Sequence, residues 1–148
     1  MIVTASSAGV SRAPYLRYTL RYDFYTDGSV HITLDGPVRE NATWLPRLGF
    51  SFGLAKEHAQ FRYFGDGPME SYCDMCHHGT VDWDDSCAAD EYVPYVRPQE
   101  HGNHVHTRCL RLGGGLEFRE NDEMDICASE YDTRMIQPRI RMSYASLM

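Results

Sequence analysis

Two short runs hold most of the residues that could do chemistry. Cys73-x-x-Cys76 is followed at once by His77 and His78, and His104-x-His106 lies further along with His101 just upstream. Thiolate and imidazole donors at the first spacing suit a tetrahedral zinc ion. A structural zinc site needs a second ligand pair, however, and downstream of this run only Cys87 offers itself. Reduced thiols and loop histidines explain the run without a metal. The second pair sits two apart on an expected strand, so both rings should point the same way. A third ligand such as His101 would complete a cupin-like metal site, yet Arg111 stands where that site wants a glutamate. Polar outward positions on a half-exposed strand account for the pair instead. No metal and no cofactor is expected.

Other chemistries find less support. Thiolate catalysis by a cysteine and one of the seven histidines needs an electropositive pocket that spacing alone does not show. The Gly113 to Gly115 run lacks the Lys-Ser/Thr and the helix that a phosphate loop requires, and reads as a turn. Glycoside chemistry needs two carboxyls held across a sugar. The "DWDD" and "ENDEMD" acids read as solvated loop residues.

The elements that must position these residues are strands. Leu16, Tyr18, Leu20, Tyr22 and Phe24 alternate with Arg17, Thr19, Arg21 and Asp23, the period of a strand with one buried face. Asp27-Gly28 supplies a tight turn, and Val30, Ile32 and Leu34 continue the alternation in an antiparallel partner. Shorter strands are expected through Leu48 to Leu54, across "AQFRYFGDGP", at Val105, Thr107 and Cys109, at Leu116 and Phe118, and at Ile126 and Ala128. No stretch shows helical periodicity. An all-β antiparallel sandwich follows, with loosely held ends over residues 1–14 and 137–148 and a single domain over 15–136.

Composition bounds the partners. The chain has 148 residues, 43% of them hydrophobic and 24% charged, as ordinary globular domains do. Its formal net charge of -7 argues against a phosphate-backbone binder, so no nucleic acid is expected. No apolar run is long enough to span a bilayer, and the start lacks a signal-peptide pattern. Five irregularly spaced cysteines suit a reducing compartment. A cytoplasmic chain is the expectation.

"WLPRLGFSFGL", "FRYFGDGPMESYCD" and "DEYVPYVRPQEHGNHVHTRCLRL" resemble the C-terminal small-chain domain of family 2 β-galactosidases. That domain couples Leu-Pro-Arg-Leu-Gly to Phe-Gly-x-Gly-Pro-x-Glu-x-Tyr and then to Tyr-x-Pro-Tyr-x-x-Pro-x-Glu-x-Gly. These patterns fall on Leu45 to Gly49, Phe64 to Tyr72 and Tyr92 to Gly102, and the similarity runs from Tyr15 to about Ile136. The resemblance implies a galactose-mutarotase-like supersandwich at the end of a multidomain hydrolase of β-galactosides. It also implies that the catalytic glutamates lie in a barrel this chain does not contain, so no catalytic residue is assigned. The family's Gly-Gly-Asp-x-Ser-Trp segment is absent, and neither Trp44 nor Trp83 stands in such a motif. Cys73 occupies a position where the family usually has proline, and His101 one where it usually has asparagine. Within Tyr92 to Gly102 the prolines favour rigid architecture. Tyr95, Arg97, Glu100, His101 and Asn103 are the candidates for galactoside contact. The expected partners are the rest of a β-galactosidase and a second copy of the chain. A free-standing carbohydrate-binding module and a mutarotase-like epimerase using His104 and His106 are the alternatives.

Overall fold

The computed structural model describes residues 1–8, 13–37, 48–97, 99–130 and 144–147, the last segment in its backbone alone. The Leu45 to Arg47 part of the first motif, Trp44, Pro98 and residues 131–136 lie outside these. Among the described residues the regular structure is nine β-strands and two single 3-10 turns, Lys56–His58 and Gly113–Gly115. All paired strands are antiparallel and form two sheets, the all-β content expected. The chain divides into two compact units, Met1–Pro46 and Arg47–Met148.

The first unit holds β1 (Ile2–Ser7), β2 (Leu16–Phe24) and β3 (Val30–Asp35) in that spatial order. The alternation in β2 and β3 sets their register. Leu20 faces Leu34, Tyr22 faces Ile32 and Phe24 faces Val30, so apolar residues share one side of the sheet. The turn is a three-residue hairpin in which the Tyr25 N–H donates to Ser29 O and the Gly28 N–H to Tyr25 O. Gly28 takes φ +88, which closes such a loop without a Cβ penalty. β1 lies in the segment expected as a loose end. It pairs with β2 from Ile2↔Arg21 to Ser7↔Leu16, and the Met1 ammonium donates to Tyr22 O.

In the second unit β4 (Phe50–Gly53), β5 (Gln60–Gly67), β6 (Thr80–Cys87), β7 (Asn103–Leu112), β8 (Glu117–Ser129) and β9 (Tyr144–Leu147) form one sheet. Its spatial order is β4-β9-β8-β7-β5-β6. Phe61, Tyr63, Leu110, Leu112, Ile126 and Ala128 make its buried cluster, with Leu54, Phe118 and Met124 packed against it. Withdrawing each large apolar side chain from water stabilises the sheet by about 1.5 to 3 kcal/mol. On the neighbouring rows Trp83 stacks near Phe64, centroids 5.5 Å apart. The Arg62 and Arg111 guanidinium groups lie 5.3 and 4.7 Å from the Trp83 ring centre.

Further expectations differ from what forms. Leu116 to Ala128, read as two strands, is mostly one strand, β8, with 13 residues. The "DWDD" acids belong to β6 and the "ENDEMD" acids to β8, neither to a loop; β6 is an edge strand, and charge on an edge blocks unwanted pairing. The tail expected to be loose contributes β9, seated between β4 and β8.

Candidate functional site

The buried polar groups of the second unit gather where the end of β5, the loops after β5 and β6 and the start of β7 meet. Asp66, Ser71, Glu91, His101, Asn103, His104 and Thr107 are all buried there. Each such group costs several kcal/mol to bury unless it is hydrogen-bonded, and the bonds fall into three connected sets.

The first set centres on Glu91. Its Oε1 accepts from Ser86 Oγ at 2.5 Å, its Oε2 lies 2.9 Å from His104 Nε2, and its backbone carbonyl is 2.9 Å from His101 Nδ1. His104 has no solvent exposure. Its Nδ1 is 3.1 Å from the Asp66 carbonyl, which only accepts, so Nδ1 carries a hydrogen. Its Nε2 faces a Glu91 carboxylate oxygen. The ring stacks on Tyr63 at 4.3 Å. Burial pushes the Tyr63 phenol above its ordinary ionisation range, and the Asp84, Glu91 and Asp66 charges push it the same way.

The second set centres on Glu70. One carboxylate oxygen accepts from the Tyr95 hydroxyl and the other from the Gly102 N–H at 2.8 Å. The Glu70 bond holds the Tyr95 phenol above its usual value, because the carboxylate resists a neighbouring phenolate. Gly102 has φ +69, and a Cβ there would lie 2.8 Å from both Glu91 Cβ and Glu91 O. Only glycine fits this turn. The third set is a clasp between Ser71 and β7. The Ser71 N–H donates to Asn103 O at 2.6 Å, Asn103 Nδ2 donates to Ser71 O at 2.9 Å, and the Val105 N–H donates to Ser71 Oγ at 3.1 Å.

His104 and His106 were expected on one outward face. The β7 to β8 register shifts between His104 and Thr107 and again between Thr107 and Cys109, and His106 takes φ +54. This bulge turns His104 inward and leaves His106 with 44% of its side chain exposed. Strict alternation predicts the opposite for His104 because it assumes an unbroken ladder.

Of the five candidates for sugar contact, Tyr95, His101 and Asn103 are engaged in the bonds above. Arg97 is exposed, and Glu100 is half-buried. Cys73 is exposed and Cys76 half-buried, while His78 Nε2 is 3.0 Å from Glu70 O. Among the described residues no group of three or more histidine, cysteine, aspartate or glutamate side chains is arranged to hold a metal ion. The organising acids were missed by sequence reasoning. Glu70 stood in view as the glutamate of Gly-Pro-x-Glu-x-Tyr, whereas Glu91 carries no signal that separates it from the other acids among the 21.

The arrangement describes a class before it describes a family: a β-sheet scaffold whose loops are joined by charged hydrogen bonds. Residues 2–141 match the family described as "Beta galactosidase small chain", and the chain belongs to that family. It is 29% identical to a β-galactosidase of Actinobacillus pleuropneumoniae over 128 residues, 86% of this chain and 12% of the relative. Against a β-galactosidase of Lactobacillus delbrueckii subsp. bulgaricus it is 34% identical over 123 residues, 80% of this chain and 12% of the relative. With β-galactosidase BgaC of Bifidobacterium adolescentis it shares 35% identity over 98 residues, 65% of this chain and 9% of the relative. The chain thus spans about one eighth of the length of the first two curated relatives.

Proposed function

We propose that this chain is a non-catalytic scaffold segment of a β-galactosidase whose bond-breaking carboxylates lie in another part of the parent protein. The observation that carries the reading is the family match over residues 2–141 beside a share of only 12% of the relatives' length. The buried polar groups agree with it. Glu70 and Glu91 spend their carboxylate oxygens on hydroxyl, amide and imidazole partners within the fold, which leaves them poorly placed to attack or protonate a glycoside. His104 has both ring nitrogens engaged and no exposed area, which counts against a mutarotase-like role.

The parent would hydrolyse terminal β-galactosides in the cytoplasm. Direct galactoside contact is the second reading. Arg97 favours it: the residue is exposed and stands two positions after Tyr95 in the chain, and a guanidinium can donate to a sugar hydroxyl. One preparation tests both. The purified chain, made in a host without its own β-galactosidase, should release no nitrophenol from a nitrophenyl β-galactoside, and turnover there would refute the scaffold reading. Titration with millimolar galactoside should then shift the resonances of Tyr95, Arg97, Glu100, His101 and Asn103; an unchanged spectrum rejects the contact.

A further inference from the structure

His106 is the one described residue other than glycine with positive φ. A residue bearing a Cβ pays for that conformation in free energy, so the surroundings must hold it there. What holds it is charge. Nδ1 of His106 lies 2.9 Å from Asp66 Oδ2 on β5, and that carboxylate is 8% exposed. From β8, Glu123 Oε2 approaches Nε2 to 4.0 Å, and Asp125 adds a third negative charge. On β7 itself Arg108 is turned to Glu123 at 3.2 Å, and His104 is turned inward to Glu91. The imidazole therefore faces three carboxylates, while the nearby guanidinium is bound to one of them. Asp66 is also the residue whose carbonyl meets His104 Nδ1. The same residue thus ties the bulge to the Glu91 set.

We propose that His106 is a pH-operated latch, in which the imidazolium clamps the β7 bulge to Asp66 of β5 and the neutral ring holds it less tightly. The Asp66 bond raises the His106 pKa above its ordinary 6.5, against the opposing effect of desolvation, and the Asp66, Glu123 and Asp125 charges add to the rise. The sign follows by linkage. Below about 6.5 folded and unfolded chains both hold the proton, and the latch contributes in full. As pH rises, the unfolded chain loses its proton first. The contribution disappears as pH passes through the higher, folded-state value. With 44% of the ring exposed, salt should weaken the effect.

The test compares the whole 148-residue chain with His106→Asn and His106→Gly. The His106 Cε1 proton, assigned by its loss in both variants, should titrate with a midpoint above 6.5 in the parent chain. The urea midpoint of the parent should step down as pH passes through that same value, and the step should be absent from both variants. Glycine adopts φ +54 without cost, so His106→Gly separates the loss of the latch from the relief of backbone strain. Asp66→Asn should return the His106 midpoint toward 6.5. If Asp66→Asn fails to fold, the two His106 variants still decide. A midpoint at or below 6.5, or an equal pH step in the variants, overturns the latch.

Discussion

Tyr63 shows how single residues set the energetics here. It is the largest fully buried side chain, and its hydroxyl has no hydrogen-bond partner among the described residues. A buried hydroxyl without a partner carries a desolvation cost that no bond offsets. Tyr63→Phe should therefore raise stability by about 1 kcal/mol, read as a higher urea midpoint with an unchanged slope. A loss of 1 kcal/mol or more would mean that the hydroxyl has a partner after all. At this scale the sequence was only partly legible. Tyr95, His101 and Asn103 could be picked out by type and motif, but their hydrogen-bond partners could not. Glu91 sits some ten residues or more from His101 and His104, and pairing at that range is set by the fold and has no local pattern.

Among the elements, the loop after β5 and the turn before β7 depend on one carboxylate. Glu70 takes the Tyr95 hydroxyl on one oxygen and the Gly102 N–H on the other, and so joins the second and third family motifs. Glu70→Ala would strand both donors, at about 1 to 3 kcal/mol for each one left unpaired. Both bonds are only part-buried, so water can take up part of the cost; the expected loss is about 2 to 4 kcal/mol, measured by chemical denaturation, with Glu70→Gln intermediate because an amide oxygen still accepts one bond. An alanine variant as stable as the parent would show that the tie is incidental. Strand signals were clear where one face is apolar, as in β2, β3 and β5. They failed at β6, whose acids give no alternation, and at the β7 bulge, where two register shifts break the period. β1 and β9 are short and carry little apolar contrast, so their pairing depends on neighbours distant in sequence.

For the molecule as a whole, the question is what covers the first sheet. Met1, Ile2, Val3, Phe24, Tyr25 and Val30 are all exposed, with Phe24 at 67% and Ile2 at 69%. β1 is an edge strand of its sheet. An edge with exposed apolar neighbours is a template for pairing. The 148-residue chain should accordingly sediment as a dimer or larger species at high concentration, and Val3→Lys should shift it toward monomer. A monodisperse monomer over the full concentration range would exclude self-association.

The seating of β9 between β4 and β8 also bears on how the chain is made. As a ribosome extrudes it, β4 emerges before any other described strand of its sheet, yet its sole described partner, β9, is the last of those strands in chain order. Until then Phe50 and Phe52 have no backbone ladder to hold them. That edge must wait until β9 has been made, while the β2 to β3 hairpin can zip as soon as its turn is out.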